Sequence, residues 1–241
     1  MKIWFSFFRT VLFMMALLLV QGVSATPDAK KQTFCSNNLA SPITNFCEVK
    51  TDVLWRGAKP DKHTSAWLIN NGVKTIINLE LMHDDLDAIR HASVTGANLY
   101  NVDYFRVKTW EPLYAVAESA ADQDVIHFLA IASQAKKPVY VHCRAGENRT
   151  GVMIAAYKII IEDQTSDAEI AAVVNEMRSY KGFWSDSTTR YIKGLALRRD
   201  EIMQGMNAFV SEQPIGIICN NGKCESDLQK TGLKQYQGSS D

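Results

Sequence analysis

The most informative stretch of this sequence is Val139-Tyr140-Val141-His142-Cys143-Arg144-Ala145-Gly146-Glu147-Asn148-Arg149-Thr150-Gly151. It opens with β-branched and aromatic residues, which predict a short buried strand, and the apolar run 152–161 that follows predicts a helix. Free backbone N–H groups and the helix dipole favour an anion at such a helix start. Arg149 adds a planar guanidinium that fits two phosphate oxygens. The stretch therefore predicts an anion-binding loop between a strand and a helix.

Cys143 stands at the beginning of this loop. A thiol at a helix N-terminus beside an arginine is typically ionised at neutral pH, and a thiolate is the nucleophilic form of cysteine. A thiolate inside an anion site predicts attack on a phosphoryl group and a cysteinyl-phosphate intermediate. Thr150, directly after the arginine, is expected to donate its hydroxyl to the departing thiolate in the second step.

The motif His142-Cys143-x5-Arg149-Thr150-Gly151 resembles the signature of the protein-tyrosine phosphatase superfamily, closest to its dual-specificity branch. The segments 54–60 and 72–79 also resemble the entry of that fold, so the resemblance extends over about residues 53–194. It implies a phosphatase that acts on phosphotyrosine, with phosphoserine and phosphothreonine as further substrates, and that needs no cofactor or metal. The loop residues expected to contact the substrate are His142, Arg144, Ala145, Gly146, Glu147 and Asn148.

The resemblance also implies a carboxylic acid that protonates the leaving oxygen from a loop upstream of the cysteine. Two residues compete for this role. Glu111 lies 32 residues before Cys143 between a tryptophan and a proline, whereas Asp103 has the residue type usual in the family but lies within a strand pattern. We favour Glu111 because a general acid has to reach the substrate from a loop. The aromatic residues Trp55, Trp110 and Trp184 could line a pocket for phosphotyrosine, although a tryptophan is more often a core residue.

Other functions share parts of this pattern. A phosphoinositide or inositol-phosphate phosphatase of the same superfamily is the main alternative, although the loop's single added arginine is opposed by a glutamate and offers little to several phosphates. A rhodanese-like sulfurtransferase also places a cysteine in an anion loop, but such loops are generally one residue shorter. A pseudophosphatase that only binds phosphorylated partners is the least favoured reading, because Cys143, Arg149 and a plausible acid are all present.

The first 25 residues differ in kind from the rest. Lys2 and Arg9 precede an apolar run at 11–20, and the small residues at 23–25 fit a signal-peptidase site. The run is short for a membrane span, so we predict a cleaved signal peptide. The alternative is an uncleaved anchor, and only in that case do we expect the protein to be attached to a membrane. Cleavage removes two of 26 basic residues and none of 26 acidic ones, so the mature chain has 24 basic and 26 acidic residues and a net charge of −2. This slightly negative charge gives no reason to expect nucleic acid as a partner. The chain is predicted to be an exported, bacterial-type protein, periplasmic or secreted, whose partner is a phosphorylated protein or small phosphoester.

The four cysteines outside the loop are Cys35, Cys47, Cys219 and Cys224. Three disulfide connectivities are open to them, and we favour the two local ones, Cys35–Cys47 and Cys219–Cys224. Disulfides of this kind suit loop-rich extensions in an oxidising compartment.

Strands and helices alternate along the rest of the 241 residues, which predicts an α/β fold with a mostly parallel central sheet flanked by helices. We divide the chain into a signal peptide (1–25), an N-terminal extension (26–51), a phosphatase domain (52–208) and a C-terminal tail (209–241). A metal site is conceivable from His83, Asp84, Asp87 and His91, but their spacing matches no established ligand pattern, so we expect none.

Overall fold

The structure of the chain is a computed structural model, which describes residues 35, 39–95, 100–180, 182, 185–210 and 212–227. The predicted signal peptide and most of the predicted extension lie outside the described residues. The strands are β1 (Cys47–Lys50), β2 (Leu54–Ala58), β3 (Thr75–Asn78), β4 (Tyr100–Arg106), β5 (Val139–Cys143), β6 (Ile215–Asn220) and β7 (Lys223–Ser226).

The described helices alternate with the central strands. They are α1 (Lys62–Asn70), α2 (Leu86–Arg90), α3 (Leu113–Val116), α4 (Glu118–Gln134), α5 (Asn148–Ala156), α6 (Asp167–Ser179), α7 (Asp186–Gly194) and α8 (Arg199–Ala208). A π-helical turn, Tyr157–Ile161, extends α5, and a 3₁₀ turn, Leu195–Arg198, joins α7 to α8. Among these residues no helix has the length and apolar character that crossing a membrane requires.

The seven strands form one sheet in the order β1-β2-β5-β3-β4-β6-β7. The four central strands, β2, β5, β3 and β4, are parallel, while β1, β6 and β7 are antiparallel to their neighbours. This confirms the predicted α/β fold, although the sheet is parallel only at its centre. Crossover helices between parallel strands cover both faces, and each face has its own apolar cluster, so all five residues of β5 are buried.

The ends of several helices carry local sequence signals. Asp61 caps α1 and forms a capping box with Thr64, and Gly72 follows that helix with a φ of +92°. Ser166 and Glu169 form a capping box at the start of α6. These features depend on residues at most three positions apart, which is why the sequence alone indicates them.

The predicted limits of the domain need correction at both ends. Strand β1 lies inside the predicted extension and pairs with β2, and the predicted tail contains the hairpin β6–β7, which pairs with β4. The turn of that hairpin is Asn221-Gly222, both with positive φ, the pair that a tight two-residue hairpin requires. Both regions resemble tails in sequence because their strands are short, partly exposed edge strands without a long apolar run.

Both favoured disulfides are present. Cys35 is bonded to Cys47 at the start of β1, and Cys219 is bonded to Cys224 across the β6–β7 hairpin. Cys143 is the free cysteine of the described chain and is buried. The two disulfides therefore lie at opposite edges of the sheet, and the thiol lies at its centre.

Candidate active site

The loop between β5 and α5 holds the predicted nucleophile at the carboxyl end of the central strand. We call residues 143–149 the phosphate loop. Gly146 has a φ of +68°, and a Cβ atom there would lie 2.3–2.5 Å from backbone atoms of Gly57 and Ala58. Only glycine permits this close approach of the loop to β2. The loop is thereby packed directly on the neighbouring parallel strand.

Three successive carbonyl groups of the phosphate loop are held by groups outside it. The carbonyl of Arg144 accepts the backbone N–H of Lys59 at 3.2 Å, and that of Ala145 accepts the Asn45 side-chain amide at 2.9 Å. The carbonyl of Gly146 accepts a guanidinium N–H of Arg56. With these carbonyls engaged on one side, the N–H groups of 144–147 make no hydrogen bond to any other described residue, so they are free for an anion.

Arg149 is placed by the end of β3. Its guanidinium donates to the carbonyl of Leu79 at 3.2 Å, and the buried hydroxyl of Thr109 donates to the same carbonyl at 3.0 Å. The Leu79 N–H in turn donates to the carbonyl of His142 at 2.9 Å. The arginine that would bind the phosphate is thus tied to both β3 and the strand that carries Cys143.

The two candidate acids lie toward opposite ends of the parallel strands. Glu111 follows β4 in the chain, and its carboxylate accepts a hydrogen bond of 2.7 Å from the side-chain amide of Asn148, within the phosphate loop. Asp103 is in register with Thr75 at the amino end of β3, and its carboxylate pairs with Lys136 at 3.1 Å. Thr75 pairs with Val139, the first residue of β5, so Asp103 is a strand length from Cys143. The structure therefore excludes Asp103 as the acid for Cys143.

The remaining predicted site residues lie in or beside the loop. Thr150 is fully buried, and its hydroxyl has no hydrogen-bond partner among the described residues, which leaves it free to serve a departing thiolate. Asn45 also contacts the Glu147 carboxylate at 3.3 Å, so Glu147 faces the N-terminal segment. Arg144 lines an open cleft with Arg149, together with Lys59, Glu80, Leu81, Met82 and His83.

His142 is fully buried, and its ring lies beside Asp85. Its Nε2 lies 2.8 Å from the carboxylate of Asp85, although the angle departs from that of an ideal hydrogen bond. Burial by itself would raise the pKa of Asp85, but His142 and then Lys59 outweigh it, so the pKa lies below its usual value. Lys59 lies 3.5 Å from Glu80 and 3.6 Å from Asp85. This network supports the strand below Cys143.

The same network is the one group of described residues that could offer several metal ligands. Atoms of Glu80, Asp85 and His142 lie within 4.8 Å of one another. The ammonium of Lys59 already lies beside both carboxylates and balances their charge. The residues considered from the sequence are arranged differently: His91 pairs with Asp87 at the surface of α2, where both side chains are more than half exposed.

The tryptophans have three different outcomes. Trp55 is 2% exposed and belongs to the core, which is the more common place for a tryptophan, so it does not line the pocket. Trp110 is 53% exposed and directly precedes Glu111. Trp184 lies outside the described residues.

Sequence reasoning missed four residues that surround the site from outside the phosphate loop, namely Asn45, Arg56, Asp85 and Asp124. The backbone N–H of Trp110, next to Glu111, faces the carboxylate of Asp124 on α4 and acts to lower its pKa. Desolvation raises the pKa of Asp124 to about 6, against the opposing effects of His127 and of that N–H group. No local pattern marks these positions, because their partners are remote in sequence.

Part of the chain is similar in sequence to proteins of known name. The chain is 28% identical over 112 residues to NAD kinase 2, chloroplastic, of Arabidopsis thaliana, covering 43% of this chain and 10% of that protein. It is 26% identical over 147 residues to the dual specificity protein phosphatase TpbA of Pseudomonas aeruginosa, covering 58% of each. The chain thus spans a tenth to about three fifths of the length of these two relatives.

A solved structure shows the same fold. The core catalytic domain of the PP-IP phosphatase SIW14 from S. cerevisiae, in complex with citrate, has a TM-score of 0.50 at 16% identity, covering 71% of this chain and 98% of that one. The family described as PTP-NADK, DSP-PTPase phosphatase fused to NAD+ kinase, matches residues 39–191. That match covers more than half of the 241 residues and includes Cys143, Arg149 and Glu111, so the chain belongs to this phosphatase family.

Proposed function

We propose that this protein is a cysteine-dependent phosphatase that hydrolyses phosphotyrosine, and also phosphoserine or phosphothreonine, without a metal or other cofactor. The observation that carries the proposal is the arrangement around one free thiol. Cys143 begins a loop whose carbonyls are held by outside groups, while Arg149 and Glu111 are each anchored beside the same loop. Family membership and the TpbA relative support the same chemistry.

The first step is in-line attack. The Cys143 sulfur forms a bond to phosphorus, and the bond from phosphorus to the tyrosine oxygen breaks. The loop N–H groups and the Arg149 guanidinium hold the three equatorial oxygens, where charge develops. Glu111 in its acid form gives its proton to the leaving oxygen, so tyrosine departs neutral. The product of this step is cysteinyl-phosphate.

The second step returns the enzyme to its starting state. Glu111, now a carboxylate, takes a proton from a water molecule whose oxygen attacks phosphorus, and the sulfur–phosphorus bond breaks. The buried hydroxyl of Thr150 donates to the thiolate as it leaves. Inorganic phosphate is released and Cys143 is again a thiolate.

The cleft beside the loop supports phosphotyrosine over a substrate with several phosphates. Leu81 and Met82 are exposed at its wall, and apolar side chains there suit an aromatic ring. Lys59, the basic residue that a second phosphate would need, is already held by Glu80, Asp85 and the carbonyl of Asp84. Among the described residues of the cleft, Arg144 is then the one further cation beside Arg149, and a single added positive charge offers weak binding to a substrate with several phosphates.

The experiment compares phosphate release from a phosphotyrosine peptide, a phosphothreonine peptide and phosphoinositides, each in EDTA. We expect fastest release from phosphotyrosine, and no turnover for Cys143→Ser, which should instead retain the phosphopeptide. Faster release from phosphoinositides would move the assignment to the alternative. A wild type that binds phosphopeptide without releasing phosphate would indicate a pseudophosphatase, and persulfide formation from thiosulfate alone would indicate a sulfurtransferase.

We further propose that the protein is exported to the periplasm or secreted. The charged and apolar segment 1–25 and two disulfides support an oxidising compartment. Fractionation of expressing bacterial cells, with N-terminal sequencing, should find a mature chain beginning at Thr26 outside the cytoplasm. A chain that retains Met1 and stays in the cytoplasm would contradict export.

A further inference from the structure

Arg56 is a fully buried arginine beside the phosphate loop, in the middle of β2. A buried guanidinium is costly unless its surroundings compensate for lost water. Here it donates to the carbonyl of Gly146 and to the sulfur of Met177 at 3.5 Å, and its centre lies 3.7 Å from the ring centre of Tyr180. Within the described part of the chain, the carbonyl of Gly146 is the oxygen atom to which Arg56 donates.

The charge environment connects this arginine to the nucleophile. Burial lowers the pKa of Arg56 below the usual value of arginine, and the negative forms of Tyr180 and then Cys143 oppose that shift. The buried guanidinium and the nucleophile therefore interact electrostatically, in addition to their shared contact with the phosphate loop.

Asn45 makes the equivalent contact from the N-terminal segment. Its side-chain amide holds the carbonyl of Ala145, one residue before Gly146, and its φ of +57° is one that asparagine tolerates. It stands two residues before Cys47, which is bonded to Cys35, and the hydroxyl of Tyr180 donates to the Cys35 sulfur at 3.2 Å. The disulfide therefore adjoins both side chains that hold the loop carbonyls.

We propose that Arg56 is a positioning residue of the phosphate loop, assisted by Asn45, which keeps the loop carbonyls turned outward and the N–H groups directed at the substrate phosphate. The proposal rests on the phosphatase function. A peptide group cannot point both its carbonyl and its N–H to the same side, so holding the carbonyl of residue 146 on Arg56 fixes the N–H of residue 147. The loop is then an anion site before any substrate arrives, and no reorganisation is needed during the reaction.

The test uses Arg56→Met, Arg56→Lys and Asn45→Ala, with Lys158→Met as the matched control. Lys158 is also a buried cation, paired with Glu176, but it does not belong to the site. The readouts are kcat and KM on a phosphotyrosine peptide, binding of inorganic phosphate by calorimetry, and the pH profile of Cys143 alkylation by iodoacetate. The last two need no turnover, so they separate a failure of this proposal from a failure of the phosphatase assignment.

We expect Arg56→Met to lower kcat/KM about 10²-fold, to weaken phosphate binding about tenfold and to move the alkylation profile to higher pH. Arg56→Lys keeps the charge and should restore the alkylation profile while recovering kcat/KM only in part. Asn45→Ala, at an exposed contact, should cost several-fold in kcat/KM. Lys158→Met should lower the melting temperature but leave both phosphate binding and alkylation as in the wild type.

Wild-type phosphate binding and alkylation in a folded Arg56→Met protein would overturn the proposal and reduce Arg56 to a structural residue. If that variant does not fold, Arg56→Lys and Asn45→Ala decide: wild-type kcat/KM and phosphate binding in both would overturn it equally. A wild type that binds phosphate and is alkylated normally, yet releases no phosphate from any phosphoester, would instead contradict the proposed function alone.

Discussion

The two edges of the sheet are built in a similar way but have different relations to the site. At one edge, β1 runs antiparallel to β2 and carries the disulfide Cys35–Cys47; at the other, β6 and β7 form an antiparallel hairpin closed by Cys219–Cys224. Only β2 separates β1 from the strand of Cys143, whereas β3 and β4 separate the hairpin from it. We call the β1–β2 side the near edge and the β6–β7 side the far edge.

The difference shows that contact with the phosphate loop, rather than the type of element, decides what an edge contributes. The near edge and its preceding segment supply Arg56, Asn45 and the N–H of Lys59, each bound to a loop carbonyl. The far edge covers β4 and buries Ile217 and Cys219 against the sheet. Changes at the near edge should therefore alter catalysis, and changes at the far edge should alter stability alone.

The largest expected effect is on kcat, and it distinguishes Glu111, which follows β4, from Asp103, which lies in β4. Glu111→Ala should lower kcat about 10²–10³-fold and flatten the basic limb of the pH–rate profile, because the leaving oxygen loses its proton donor. Asp103→Ala should leave kcat within about twofold, since Asp103 is in register with Gly216 of the far edge and pairs with Lys136. Steady-state kinetics between pH 5 and 8 measure both. Normal turnover in Glu111→Ala would remove this residue from the mechanism.

A smaller effect compares the two disulfides directly. Each closes a short loop, and in the chain-entropy account its loss costs about 2–3 kcal/mol of unfolding free energy. The double variant Cys35→Ser/Cys47→Ser should also lower kcat/KM about tenfold, because the disulfide sulfur contacts Tyr180 and Cys47 is in register with Arg56. Cys219→Ser/Cys224→Ser should leave kcat/KM unchanged.

Thermal unfolding and kinetics on the same preparations test this pair of variants. Both should melt at a lower temperature than the wild type, and only the near-edge variant should lose activity per folded molecule. Equal activity in the two variants would break the comparison between the edges. Loss of activity in the far-edge variant alone would reverse it.

The comparison also explains what the sequence could and could not predict. The phosphate loop was predictable because its cysteine, glycine and arginine are close in sequence, and α1 and α6 were predictable from capping residues three positions apart. The partners of the loop were not, since Arg56 is 90 residues from Gly146 and Asn45 is 100 residues from Ala145. Such pairs are determined by strand order and register, which local periodicity does not encode.

The choice between the two acids shows the same limit. Sequence spacing and the flanking proline favoured Glu111, but only the register of β4 against β3 places Asp103 at the amino end of the sheet. The far-edge hairpin was missed although its Asn221-Gly222 turn is a strong local signal, because the surrounding strands are short and partly exposed. No local pattern marks Asp85 either, since its buried partner His142 is 57 residues away in the sequence.

The smallest expected effect is on stability, at Asp124. It tests whether a residue near the site must also contribute to catalysis. The Asp124 carboxylate faces the Trp110 N–H next to Glu111, but Asp124 lies on helix α4 and belongs to neither edge of the sheet. Its pKa of about 6 in the folded protein exceeds the ordinary value of 3.8. From about pH 4 to 6 the folded state therefore holds a proton that the unfolded state has lost, and unfolding free energy falls as pH rises through this window.

Asp124→Asn removes that titration while keeping an oxygen acceptor for Trp110. We expect the variant to be more stable than the wild type above pH 6, by about 1 kcal/mol after allowance for solvent screening of this half-buried carboxyl, and no more stable below pH 4. Its kcat should stay within about twofold, because the segment that carries Glu111 keeps its hydrogen bond. Urea unfolding at several pH values, with kinetics on the same samples, measures both. A tenfold loss of kcat with no gain in stability would mean that the proton of Asp124 takes part in the reaction. Residues that do not contact the loop carbonyls would then also contribute to catalysis.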